Sequence, residues 1–525
     1  MTFPALLKVE TLDTRHPNYT ADVWSELSDL YVGGYCIQKN AGKYLPRIPG
    51  ESDAKYDVRK RCAGYVPYMG QIVEFFAANL FAREVTVTPA DDPESADEFW
   101  DEFSQDADLA GHDLSKLLRR AFTDALVKGR GILACDFPAA TAPVVTRADE
   151  EAAGLARGYA FPIEVEHLID WEKDDHGRFT WCVLRREVER RSSVFVKRAR
   201  AVAYKVWVMG PEFAEWAIYE DSEPDKKDVK GREIPLVAEG KTQFRRIPIL
   251  ELEVPEGLWV GNKIGPLARE HYQRRSLLVS AENHSMVAIP VAKLGPEFGA
   301  AGGEMPSEAQ QNPHRGDDPV RQFETHGFLK IGAGDSFDFV APDGGAYQVV
   351  DEQLAALVDE MFRVVHQMAA SVSSTANAVG RSGDSKAEDR NATEIILTAY
   401  GSLVRDFAQT LYETLSEARG EDVEWQPHGL DKFRLTDKAA LLEEALALAS
   451  ITIPSKTWRR MKLKELALGM LENVEPAVQA VITAELDSAS DDEIMPPPPA
   501  EELTGGPNPR AGSAGPPKGG SPFGK

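Results

Sequence analysis

The sequence is poor in the features that usually declare a function. Only four cysteines occur among 525 residues, Cys36, Cys62, Cys135 and Cys182. No two of them form a CxxC pair or a zinc-finger spacing, so reduced thiols in a cytoplasmic protein are expected. No apolar run approaches the roughly 18 residues that a membrane-spanning helix requires. Met1 to Pro17 lacks the basic start and apolar stretch of a secretory signal. These absences imply a soluble chain with no membrane partner.

Catalytic signatures are missing as well. The phosphate loop GxxxxGK[ST], HExxH, GxSxG and the kinase and cysteine-protease motifs do not occur. Gly332 and Gly334 begin a dinucleotide-like GxG without its third glycine or a βαβ setting, which reads as a plain turn. The ten histidines are scattered, and His366 has no second ligand at a metal spacing. Asp101, Glu102, Asp106 and Asp108 form an acidic group, but with 84 acidic residues in the chain a solvated face accounts for it. The chain therefore reads as a non-enzyme without cofactor or metal.

Positive charge is the other scarcity. Lys and Arg number 59 against 84 Asp and Glu, a formal net charge of −25. Such a molecule repels phosphate at long range, which disfavours a protein that grips nucleic acid through counterion release and leaves room only for local basic patches.

What is present is ordinary globular material: 43% hydrophobic and 27% charged residues. The length suggests about three domains. The first third has helical spacing. Thr20 and Ser52 are positioned as caps, Trp24, Leu27 and Leu30 share a face, and Pro67 precedes Ile72, Val73, Phe76 and Leu80. Another helix through Leu114 to Leu126 stops at Gly129. From Ile132 the period becomes two, with candidate strands at Ile132–Phe137, Ile163–Trp171, Phe179–Val188, Ala201–Met209, Glu215–Tyr219 and Ile247–Val254. An antiparallel region of about six strands is expected.

The helical period returns at Gly265-Pro266 and is interrupted by a Gly-, Pro- and Asp-rich stretch. Then comes the clearest pattern: Val350, Leu354, Leu357, Met361, Val364 and Met368 recur at steps of three and four. One stripe of this kind serves either lengthwise packing between neighbouring helices or the core of a monomer, and its length does not decide between them. Ala370 to Asp384 is small and polar, a loop, and Ser385 with Glu388 forms a capping box that opens a long helix ending at Gly420. Further helices are expected near Thr436–Ala449, from Ser455, and from Glu475 to Leu486. The Pro/Gly-rich residues beyond Ser488 cannot bury enough apolar surface to order themselves.

One stretch carries a resemblance. Lys43-Tyr44-Leu45-Pro46-Arg47-Ile48-Pro49-Gly50-Glu51-Ser52, followed by Tyr56, Arg59, Arg61 and the Leu80-Phe81-Ala82-Arg83 ending, resembles the opening of a branch of tailed double-stranded DNA phage portal proteins. The order of elements from about residue 20 to 485 is similar too. The resemblance implies an α+β portal-like fold. Its parts would be a helical and β wing over 1–264, a first stem helix over 265–289, a clip over 290–346 and a second stem helix over 347–369. A tunnel loop over 370–385, a long wing helix over 386–424, a helical crown over 425–487 and a disordered tail over 488–525 would follow. The insertion Gly299–Pro319 and the tail depart from the family pattern.

The same resemblance implies a ring of about twelve copies at one capsid vertex, assembled in the host cytoplasm and carried in the virion. DNA would pass through it during packaging and ejection. Its partners would be terminase, head-completion adaptors, major capsid or scaffolding protein, and double-stranded DNA touched transiently without sequence preference. Ser374, Thr375, Asn377, Arg381 and Lys386 would lie at the channel, and the stripe from Val350 to Met368 would pack the stem. Twelve copies at −25 would carry about −300, a wall along which DNA slides rather than sticks. A carboxylate- and Mg²⁺-dependent hydrolase or nuclease and a non-viral cytoplasmic scaffold stand as alternatives.

Overall fold

The computed structural model describes residues 3–90, 98–138, 157–191, 193–195, 198–224, 231–285, 289–293, 336–340, 345–372, 385–430, 433, 455–470 and 476–488. The chain divides into two compact units, Met1–Phe433 and Arg434–Lys525. Helix and strand are mixed in the first unit, and the described part of the second is helical.

The first unit opens with a short strand, β1 (Leu6–Lys8), and three principal helices, α1 (Ala21–Val32), α2 (Asp53–Cys62) and α3 (Tyr68–Leu80). Ser52 caps α2, its hydroxyl accepting from the Lys55 amide, whereas the Thr20 side chain makes no such bond at α1. Trp24, Leu27 and Leu30 are buried, as are Ile72, Val73, Phe76 and Leu80. On α2 the apolar Val58 is exposed and it is Arg59 that is buried.

A strand β2 (Thr86–Pro89) leads to α4 (Glu98–Gln105), which the acidic composition of this segment had hidden; its Trp100 and Phe103 are buried. Helix α5 (Leu114–Lys128) is capped by Asp113 and closed by Gly129 at φ +84°, the left-handed conformation that glycine takes without penalty.

The β region contains more strands than the period-two pattern marks, and they fall into two sheets. β3 (Arg130–Asp136) is central between β4 (Tyr159–Ile163) and β10 (Ile249–Glu253). The larger sheet is antiparallel and comprises β5 (Leu168–Lys173), β6 (Phe179–Arg190), β7 (Ala199–Met209), β8 (Ala214–Asp221) and β9 (Glu233–Lys241) in consecutive order, with β1 on the far edge. The stretch Ile163–Trp171, a single strand by its pattern, is broken by a 3₁₀ turn at Val165–His167. There Glu164 and Glu166 turn to the buried Lys128 ammonium, at 3.3 and 2.9 Å, and the chain changes sheet.

Beyond the sheets lie α6 (Val260–Ser285), β11 (Ile289–Lys293), β12 (Ser336–Val340), α7 (Gly345–Val372), α8 (Ser385–Arg419) and β13 (Trp425–His428). β13 pairs antiparallel with β2, so the residues read as the start of a crown from 425 are held in the first unit. In the second unit α9 (Lys456–Met470) and α10 (Pro476–Ser488) are linked by an ion pair of 2.8 Å between Lys464 and Asp487. Ser455 caps α9, but Trp458 and Met461 are exposed and the buried face holds Arg459 and Leu466. The helix expected near Thr436–Ala449 and the tail beyond Ser488 lie outside the described residues.

The main core of the first unit joins α1, α3, α5, α6, α7 and α8 to one face of the small sheet. A second cluster, with Trp24, Ile132, Trp171, Trp207 and Ile249, fills the angle between the sheets, and a third, with Val9, Leu12, Tyr204 and Tyr219, covers the other face of the larger one.

Candidate functional site

The long helices α6, α7 and α8 carry the six residues of the apolar stripe and Lys386, and α6 is the one to which the N-terminal helices are tied. It begins at Val260, five residues before the Gly265-Pro266 pair that marks its start in the sequence, and Pro266 sits inside it. The earlier start is secured by close packing. A Cβ on Gly261 would lie 2.0 Å from the Val127 carbonyl oxygen, and one on Gly265 would lie 2.5 Å from Leu27 Cδ2. Trp259 Nε1 donates to the Val127 carbonyl at 3.0 Å, and Tyr400 of α8 donates to the Leu258 carbonyl at 2.6 Å.

The YLPRIPGES stretch explains itself structurally. Arg59 donates through Nε and Nη2 to the two carboxylate oxygens of Glu51, both at 2.8 Å, and through Nη2 to the Pro46 carbonyl, also at 2.8 Å. Its Nη1 reaches Ser276 Oγ on α6 at 3.3 Å. Gln273 of α6 donates to the Tyr44 carbonyl at 2.9 Å. The motif is therefore a clamp between the N-terminal helices and α6. A bidentate carboxylate holds the guanidinium in its plane, and the guanidinium beside it lowers the Glu51 carboxyl to about 2.

Helices α6 and α7 run antiparallel. β11 follows α6 and pairs antiparallel with β12, which precedes α7. Arg274 of α6 meets Gln353 of α7 at 2.8 Å. Of the six stripe residues on α7, Leu354, Met361 and Met368 are buried within the chain itself, joined by Val365. Val350, Leu357 and Val364 are half-buried. The neighbouring positions Val349 and Phe362 stay exposed, at 53% and 43%. The stripe is thus divided: one edge serves the core of a single chain and another remains open.

Ser374, Thr375, Asn377 and Arg381 lie outside the described residues. Lys386 falls in the first turn of α8, and only its backbone is described.

Two members of the acidic group considered for catalysis, Asp106 and Asp108, are engaged in local structure. Asp106 accepts from the Gly111 amide at 2.8 Å, and Asp108 accepts from the Ala110 amide at 2.9 Å and pairs with His112 at 2.7 Å. These carboxylates fold the loop that precedes α5. Among the described residues no group of three His, Cys, Asp or Glu side chains could hold a metal ion. Cys135 and Cys182 are buried, and burial pushes both thiols far above the usual range, which leaves them unreactive.

Two features escaped the sequence reading. One is a cavity of about 500 Å³ where the β5–β6 turn, β10 and α8 meet; Phe179, Leu403 and Phe407 line it with the carboxylates of Asp406 and Glu413 and with Lys173, Arg178 and Arg246. Its residues come from three distant segments, so no local pattern announces it. The other is the far end of the β6–β7 hairpin, where Val194 and Phe195 are 76% and 98% exposed. Its signal was legible, an arginine-rich run around a Phe.

No family model matches the chain, and no curated protein matches it. Solved structures do. The chain is similar to one from the neck of an empty gene transfer agent (GTA) particle computed with C6 symmetry, with a TM-score of 0.42 and 14% identity over 82% of this chain and 98% of that one. A chain from the virion of a native GTA particle gives a TM-score of 0.36 at 14% identity, covering 84% and 98%. One from the neck of the native particle computed with C12 symmetry gives 0.36 at 13% identity, covering 86% and 98%.

Proposed function

We propose that this chain is a phage portal subunit: a ring of about twelve copies forming the channel at one capsid vertex through which DNA is packaged and ejected. The observation that carries this reading is the α6–β11–β12–α7 excursion. One long helix leads out from the β region, a two-stranded module turns the chain, and a second long helix returns alongside the first. That is the arrangement expected of a stem pair with a clip between them. The clamp that fastens the YLPRIPGES stretch to α6 supports it, because the residues that carry the portal resemblance hold the first stem helix in place.

In this reading α6 and α7 are the stem and 290–346 is the clip that docks terminase and later head-completion adaptors. The loop 370–385 touches DNA phosphates through Asn377, Arg381 and Lys386, and the strongly negative ring lets the duplex slide. The work of packaging comes from a separate ATPase. Mass photometry and negative-stain microscopy of the purified protein test the reading: rings of about twelve support it, and a stable monomer at micromolar concentration overturns it. Replacing Arg381 and Lys386 with Ala should alter packaging yield while rings still form; unaltered packaging removes their role.

A further inference from the structure

The β6–β7 hairpin outruns its sheet. β5 leaves β6 at the Leu168–Leu184 pair, and β8 joins β7 only from Val202, yet β6 and β7 stay paired as far as Arg190 and Ala199. Residues 188–190 and 199–201 are therefore a two-stranded ribbon flanked by no third strand among the described residues. Glu189, Arg198 and Arg200 along it are exposed. A ribbon of two strands is marginal in water without something to lie against, and this one ends in the almost fully exposed Phe195.

Its charge is opposite to that of the rest of the chain. Residues 185–200 hold seven basic side chains and two acidic ones, a net of +5 within a chain of −25, which leaves −30 on everything else. Whatever the ribbon meets on another copy of this protein is, on average, acidic. The cavity beside Phe179 is lined by cations as well as carboxylates, but Lys173 and Arg246 are paired with Glu251 and Glu417, so it offers Leu403 and Phe407 to an aromatic ring and Asp406 and Glu413 to arginines. It lies at the opposite end of β6 from the tip. Twelve residues at strand rise separate the two by about 36 Å, so a chain cannot fill its own cavity. A knob and a hole on different parts of one molecule make a head-to-tail contact, the kind that closes rings.

We propose that the β6–β7 ribbon is an assembly arm whose Phe195 seats in the cavity between the β5–β6 turn and α8 of a neighbouring copy. The proposal rests on the ring reading and adds to it a specific contact outside the stem. The test places benzoylphenylalanine at position 195 of the full chain, irradiates the purified protein, maps adducts by mass spectrometry and measures assembly by mass photometry in parallel. Adducts joining two chains within 173–179, 246–253 or 403–413 are expected.

Rings with adducts elsewhere, or with none between chains, overturn the arm and leave the ring reading standing. Monomers without adducts overturn both. A variant combining Phe195→Ser with Arg198→Glu should raise the concentration needed for half-assembly at least tenfold; assembly at the wild-type concentration contradicts the proposal. If that variant assembles normally but loses binding to a labelled DNA duplex, the ribbon is a polyanion contact instead.

Discussion

Arg59 and Glu51 form a bidentate ion pair from which water is almost excluded, the two side chains being 2% and 8% exposed. The pair lies between the Pro46 carbonyl and Ser276 of α6, so it joins segments more than two hundred residues apart. Removing one partner strands the other as a buried charge, a loss on the order of 3 kcal/mol. Glu51→Gln and Arg59→Met should each lower stability by that amount in urea unfolding. An effect below about 1 kcal/mol would mean that the clamp is incidental to folding.

The clamp also has a pH signature. The Glu51 carboxyl is depressed to about 2, with the hydrogen bond from Arg59 as the largest cause. A carboxyl whose folded-state pKa is lowered contributes stability in full above its unfolded value near 4.3 and loses it as pH falls towards 2. The difference in stability between wild type and Glu51→Gln should be flat from pH 5 to 8 and shrink between pH 4 and 2. Melting curves across that range decide it.

Asp124 has the opposite behaviour. Burial is the main cause that raises its carboxyl to about 6, against the pull of Lys128. A carboxyl raised in the folded state stabilises while protonated, and that contribution is lost as pH climbs from about 4 through 6. Asp124→Asn should therefore gain on wild type with rising pH and exceed it at pH 7 by up to about 2 kcal/mol, since holding a carboxyl proton from about pH 4 to about pH 6 corresponds to roughly 2.7 kcal/mol. A parallel pH dependence in the two proteins would refute the assignment.

The glycines of α6 predict an asymmetry. At Gly261 an added methyl meets the fixed Val127 carbonyl, whereas at Gly265 it meets the end of the Leu27 side chain, which can turn aside. Gly261→Ala should cost about 3 kcal/mol by overpacking and Gly265→Ala about 1. Thermal melts of the two variants provide the comparison, and equal costs would show that the α5 and α6 backbones yield.

Much of the helical framework was readable because its signals are local. Ser52, Gly129 and the α7 stripe act within one or two turns, so spacing and caps place their helices. The misses are tertiary. β9 contains Pro235 and Gly240, which argue against a strand, and it forms because β8 offers a partner for residues 236–241. β13 and β2 stand more than three hundred residues apart and find each other only in the fold. Pro266 looked like a helix start, yet α6 begins earlier because Gly261 lets it sit on α5. Arg59 stood in the recognised motif with nothing to say that it would be buried. The channel residues read from the resemblance, Ser374 to Arg381, lie in a segment of small and polar side chains, which gives a single chain little to pack.

The divided stripe on α7 yields a prediction that separates folding from assembly. Met361 is fully buried in the chain's own core, while Phe362, its neighbour in sequence and about 100° further round the helix, is 43% exposed. Met361→Ala opens a cavity and should cost about 3 kcal/mol in a single chain, whatever its oligomeric state. Phe362→Ala removes little that the isolated chain uses and should change its stability by less than about 1 kcal/mol. If neighbouring subunits pack along this helix, the same substitution takes an aromatic anchor out of their interface, where such residues carry a large share of the affinity. Mass photometry of Phe362→Ala should then show assembly shifted to higher protein concentration beside an unchanged melting temperature. A variant that assembles as readily as wild type would place the stem contact on some other face of α7.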